Sequence, residues 1–199
     1  MEAVLYVSHG SRIAAARHEA ARFVEQCRRA IDIPIQELCF VELAEPDIVT
    51  GVDRCVAQGA TRVIVVPLLL LSAGHAKHDI PAALDIARRR HPSVDILCGA
   101  PFGVHEAMID IMIDRISEQS APLDVESMIL LVGRGSSDPD TKRDMSAIAA
   151  LLKEKRTCRT WTFVFSLPSA RRLMKGSNGP MHRRIGVCLS SRTYCLPAS

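Results

Sequence analysis

The sequence predicts an α/β fold, a doubly wound parallel sheet forming one complete domain plus the start of a homologous second domain. Three observations point there. Short apolar runs alternate with longer Ala-, Arg- and Glu-rich stretches of helical period. Those runs carry few polar residues, as strands covered on both faces do. Gly10, Pro46 and Gly59 punctuate junctions between the two kinds of segment.

In order, Ala3–Ser8 is the first apolar run, and a helical pattern follows from Ile13 to Ala30. Ile33–Val41 reads as the second strand. Pro46 is expected to open the second helix, because a first-turn N–H has no intrahelical partner and its loss there costs nothing. That helix runs to about Gln58 and Gly59 ends it. Arg62–Pro67, with Val63-Ile64-Val65-Val66, has the strongest strand character in the chain. A loop over Leu68–His78 leads to a helix over Ile80–Arg90, then a fourth strand over Val94–Cys98 and a fourth helix over His105–Glu118.

Composition narrows the class. The 199 residues are 48% apolar and 24% charged, enough for a real core. No apolar run approaches the roughly 18 residues of a membrane span, and Met1-Glu2-Ala3-Val4 does not begin a secretory signal. Seven cysteines, an odd number without C-x-x-C spacing, suit reduced thiols and a cytoplasmic location. The net charge of +3 hides a break: Thr157–Ser199 holds seven Lys/Arg and no Asp or Glu. A basic stretch with Trp161, Phe163 and Phe165 invites a nucleic-acid reading. Pro168, Pro180, Pro197 and the lack of any binding motif argue against one, so neither nucleic acid nor membrane is an expected partner.

In open parallel sheets, ligands bind beyond the carboxyl ends of the strands. His9 and Gly10 follow the first strand, Glu42 and Glu45 the second, and Ser72–His75 the third, so three distant segments converge on one edge. In Ser8-His9-Gly10-Ser11-Arg12, Gly10 permits a tight turn, the helix start offers N–H groups to an anion, and Arg12 offers a charge. His9 and His75 can hold a divalent first-row metal and leave coordination positions open, or accept a proton near neutral pH. His78, one turn on, and Glu42 are accessory candidates. His18 is read as solvated, His91 as a cation at a helix end, and His105 as a helix start. A nucleotide-binding domain would need a Gly-rich phosphate loop, which the sequence lacks.

Val7-Ser8-His9-Gly10-Ser11-Arg12, Glu42-Leu43-Ala44-Glu45-Pro46-Asp47-Ile48, and Val66-Pro67 through Ser72-Ala73-Gly74-His75-Ala76-Lys77-His78-Asp79-Ile80-Pro81 together resemble the sirohydrochlorin chelatases, over about residues 1–120. These class II enzymes insert Co²⁺ or Fe²⁺ into sirohydrochlorin without ATP, in cobalamin or sirohaem biosynthesis. The resemblance implies that His9 is proton acceptor and metal ligand, and that His75 is the second ligand. It implies substrate contacts at Glu45, Leu70, Leu71, Ser72, Ala73 and Gly74, beside the anion-binding Ser8, Gly10 and Arg12. No permanent cofactor is implied, since the metal ion is a substrate. The short form of the family works as a homodimer, so pairing through the first domain is expected.

Met128–Ser137 repeats the segment around His9 at an offset of 125 residues, with Arg134 in the place of His9, and Asp140–Lys155 repeats the first helix. The expected division is a chelatase domain over 1–120, a linker over 121–126, the first strand and helix of a second domain over 127–156, and an irregular basic tail over 157–199. The tail reads as a frameshift product. Shifting its codons by two nucleotides forces an Asp at position 162 and a Glu at position 175, restoring acids the tail lacks. Because the second domain is cut short, a metal-binding module with little or no turnover is the alternative to an active chelatase.

Overall fold

The computed structural model describes residues 1–118, 128–133, 138–155, 160–165 and 184–188. The chain divides into two compact units, Met1–Gly103 and Val104–Ser199.

The first unit is a parallel sheet of four strands, β1 (Glu2–Ser8), β2 (Ile35–Phe40), β3 (Arg62–Leu68) and β4 (Asp95–Cys98), in the order β2-β1-β3-β4. Helix α1 (Ala14–Ala30) joins β1 to β2, α2 (Ile48–Ala57) joins β2 to β3, and α3 (Ile80–Arg90) precedes β4. Alternation along β1 shows how the layers form. Ala3, Leu5 and Val7 pack with Ile48, Val52 and Cys55 of α2 and with Ile80, Leu84 and Ala87 of α3. Val4 and Tyr6 point the other way, onto Val24 of α1. All five of these β1 side chains are buried, which is why the segment carries no polar residue between Glu2 and Ser8.

Gly51 sets the distance between α2 and the sheet. A Cβ there would lie 2.8 Å from Leu5 Cδ1 and 2.9 Å from Cys39 Cβ. Gly51→Val is therefore expected to destabilise the chain by about 2 kcal/mol or more through overpacking, seen as a lower urea midpoint. Burial also raises the pKa of Cys39 and Cys55, so these core thiols stay protonated. Both are free, as are Cys27 and Cys98.

One boundary differs from expectation. Pro46 does not occupy the first turn of α2. It follows a cis Glu45–Pro46 bond and precedes the N-cap, Asp47, whose carboxylate accepts from Thr50 N at 2.7 Å. Asp is a strong N-cap, and its side chain satisfies a helix-end N–H that nothing else reaches. The same bond holds the Asp47 carboxyl below its ordinary range.

The second unit holds α4 (Glu106–Ser117), β5 (Met128–Gly133), α5 (Pro139–Lys155), β6 (Thr160–Phe165) and β7 (Arg184–Cys188), with strands in the order β6-β5-β7, all parallel. At an offset of 125 residues, α5 spans the counterpart of α1 and β6 that of β2, and the strand order repeats β2-β1-β3. The pairing shift is shared as well: Met128 faces Thr160 as Ala3 faces Ile35. The tail expected to be irregular is thus strand over 160–165 and 184–188. The β-branched and aromatic content of Thr160–Phe165 suits an extended backbone. The rest of the tail, including His182, lies outside the described residues. Among the described residues, no helix is long and apolar enough to cross a membrane.

Candidate metal centre

The site is built where β1, β2 and β3 end. The β1–β2 pairing carries on beyond the strands, with Val41 N donating to Ser8 O at 2.9 Å and Glu42 N to His9 O at 3.2 Å. This sets the residue after Ser8 beside the one after Val41, so His9 and Glu42 become neighbours. Gly10 makes the crossing possible. Its φ is +92°, and a Cβ would sit 1.8 Å from Glu42 O, far closer than any Cβ contact allows. His9 Nε2 lies 3.9 Å from Glu42 Oε1, and His9 Nδ1 lies 3.3 Å from Gly10 O.

The third side chain comes from beyond β3. The loop expected before α3 contains a π-turn over His75–Asp79 that runs straight into the helix. Its signature is Ile80 N bonded to His75 O, five residues back. Pro81 explains the change of register, because it has no N–H for the carbonyl four residues behind it. Single π-turns of this kind concentrate at functional sites. The turn sets the His75 ring edge-on to that of His9, with centroids 4.7 Å apart and planes at 86°.

His9, Glu42 and His75 each bring one ligating atom, all within 4.8 Å of one another. A first-row ion bonded at about 2.1 Å spans donors up to roughly 4.2 Å apart, so small inward movements would close the set. Two imidazoles and one carboxylate suit iron or cobalt, and three donors leave positions open for an incoming ligand. The two imidazoles expected to act together do meet. Glu42, read from the sequence only as an accessory, joins them as an equal. His78 is exposed and lies outside this group of three.

The other expected residues form the surroundings. Arg12 is exposed one residue before Ile13, the N-cap of α1, an aliphatic side chain that cannot cap. The first turn of α1 has no acid, so this end of the helix favours an anion. Ser8 gives its carbonyl to the ladder, and Ser11 Oγ accepts from Ile13 N at 3.1 Å. Glu45 is exposed and its Oε2 accepts from Asp47 N at 3.1 Å, bracing the turn ahead of α2. Leu70 is exposed, with its carbonyl held by Gly103 N at 2.8 Å, and Leu71 O receives Ala73 N at 3.0 Å. Ser72 is half-buried, and Gly74 has open space around it.

His91 and His105 serve structure. His91 caps α3 and lies 2.6 Å from Asp53, which also pairs with Arg90. His105 is the N-cap of α4, its Nδ1 accepting from Ala107 N at 3.1 Å. His18 is exposed on α1.

Known proteins resemble this chain in sequence and in fold. Residues 3–119 match CbiX. The chain is 54% identical over 155 residues to a sirohydrochlorin ferrochelatase of Priestia megaterium, covering 78% of this chain and 58% of that protein. It is 40% identical over 159 residues to a sirohydrochlorin cobaltochelatase of the same organism, covering 78% of this chain and 51% of that protein. Among solved structures, SirB from Bacillus subtilis with Fe³⁺ superposes with a TM-score of 0.86 at 41% identity, covering 97% of this chain and 78% of the other. The chain thus spans just over half the length of both curated relatives.

Proposed function

Because the chain belongs to the CbiX family, we propose that it is a sirohydrochlorin chelatase, inserting a divalent iron or cobalt ion into the macrocycle without ATP. The observation that carries this is the convergence of His9, Glu42 and His75 within 4.8 Å at the carboxyl ends of three strands. Insertion exchanges one divalent ion for the pyrrole N–H protons of the ring. The three donors hold the ion on one side and leave its other side open to the macrocycle. The carboxylate of Glu42 offsets part of the ion's charge, so the ion can be released as ring nitrogens replace protein ligands one at a time. As each imidazole is freed it becomes a base of suitable strength for a leaving proton. His9, where the segments after β1 and β2 meet, is the first such acceptor.

Sirohydrochlorin is rimmed by carboxylates. Arg12 and the uncapped start of α1 give those groups charge-assisted partners. Ser8, Gly10, Glu45 and the stretch from Leu70 to Gly74 form the rest of the proposed substrate contact, and the exposed Leu70 offers an apolar surface to the ring. Ferrous iron is favoured over cobalt. Within one organism the ferrochelatase is 54% identical to this chain and the cobaltochelatase 40%.

The test is anaerobic insertion into sirohydrochlorin with Fe²⁺ and, separately, Co²⁺, followed by the change in tetrapyrrole absorbance. Metallation with both ions, faster with Fe²⁺, is the expected result. A second reading rests on the 58% coverage of the ferrochelatase: a chain that binds the ion but lacks part of the cleft would show metal binding and no product. Gel filtration reports on the proposed pairing through the first domain. The frameshift origin proposed for 157–199 is supported by its lack of acids. Resequencing codons 150–160 tests it.

A further inference from the structure

We propose that Asp79 is the positioning residue of the site: its carboxylate fixes the tautomer of His75, so that Nε2 is presented to the ion. The inference rests on the reading of His75 as a metal ligand. His75 Nδ1 lies 2.6 Å from Asp79 Oδ2, a short contact for a nitrogen donor and a charged acceptor. A carboxylate in this position has only lone pairs to offer, so in the neutral ring Nδ1 carries the hydrogen and Nε2 keeps its lone pair.

The backbone supports this pairing. Asp79 is four residues after His75, and both lie in the π-turn. A π-turn takes more residues than an α-turn, which brings residues four apart more nearly into line. Ile80, fully buried, anchors the turn next to Asp79, and Pro81 keeps the register from reverting to α. Asp79 therefore acts from a fixed base on a ring that is partly exposed. His9 shows the weaker form of the same device, with its Nδ1 3.3 Å from Gly10 O. His9 Nε2 is then the atom that faces Glu42. Metal-bound histidines commonly give their second N–H to a carboxylate or carbonyl, and losing that partner typically costs 10–100-fold in metal affinity.

The test uses the full metal-free chain with ¹⁵N-labelled histidine, the His75 signals being assigned by comparison with His75→Gln. Wild-type His75 is expected to carry its proton on Nδ1. Asp79→Ala is expected to move the proton toward Nε2 and to weaken Co²⁺ binding, followed by d–d absorption, by about 10–100-fold. Asp79→Asn keeps an acceptor oxygen and is expected to restore the tautomer and most of the affinity. Circular dichroism should be the same for all variants, and a purely structural role would not move the imidazole signals. A proton on Nε2 of wild-type His75 would overturn the proposal. So would an Asp79→Ala variant with wild-type tautomer and Co²⁺ affinity. Tautomer and binding results as expected, alongside failed insertion, would remove the chelatase reading and leave the role of Asp79 standing.

Discussion

His9→Ala should lower metal insertion by at least roughly 10²-fold, the scale on which a positioned base acts, while leaving the thermal midpoint almost unchanged. The two halves of that result have separate causes. His9 is nearly half exposed and supports no core contact, so its truncation belongs with surface changes, within about 0.5 kcal/mol. Yet its ring is edge-on to His75 and faces Glu42, so on the proposed reading its loss removes a metal donor and the first proton acceptor together. His75→Ala should behave alike. Single-turnover insertion under anaerobic conditions, paired with a melting curve, checks both. Near-normal turnover in either variant would withdraw the role given to that residue.

Gly10→Ala should be the more damaging change for the protein as a whole. An alanine at φ +92° is strained, and its methyl group would overlap Glu42 O, only 1.8 Å away. Backbone strain of roughly 1–3 kcal/mol and overpacking of roughly 1–3 kcal/mol combine to an expected loss of about 3 kcal/mol. Because the clash is with backbone, relief requires the second loop to back away, carrying Glu42 from His9. Urea unfolding should show a lower midpoint, and Co²⁺ titration a weaker site. A stable Gly10→Ala variant with intact metal affinity would mean that the two loops do not approach as described.

The fold could be read from the chain because its first strand is buried on both faces. A run such as Ala3–Val7 has no polar residue to interrupt it, and the structure places its alternate side chains in two separate cores. His9 and His75 were legible for a topological reason: parallel strands put all their carboxyl ends on one edge. Glu42 was harder. A carboxylate after a strand is commonplace, and only the pairing that continues beyond β1 and β2, setting Glu42 N against His9 O, brings it beside the two imidazoles. The π-turn was hidden as well, though Pro81 was its signal: a proline near a helix start reads as an ordinary first-turn residue unless the turn before it is known. Pro46 misled in the opposite direction, since a stronger cap, Asp47, stood one residue further on.

The three donors are unequally mounted. His9 and Glu42 are stitched together through their main chains, so their spacing is set once the sheet forms. His75 rides on a span whose carbonyl at Leu70 is pinned by Gly103 and whose far end sinks into the core at Ile80. On the proposed reading, two of the ion's partners come as a fixed pair from the sheet edge, and the third is delivered by a separate span tethered at both ends.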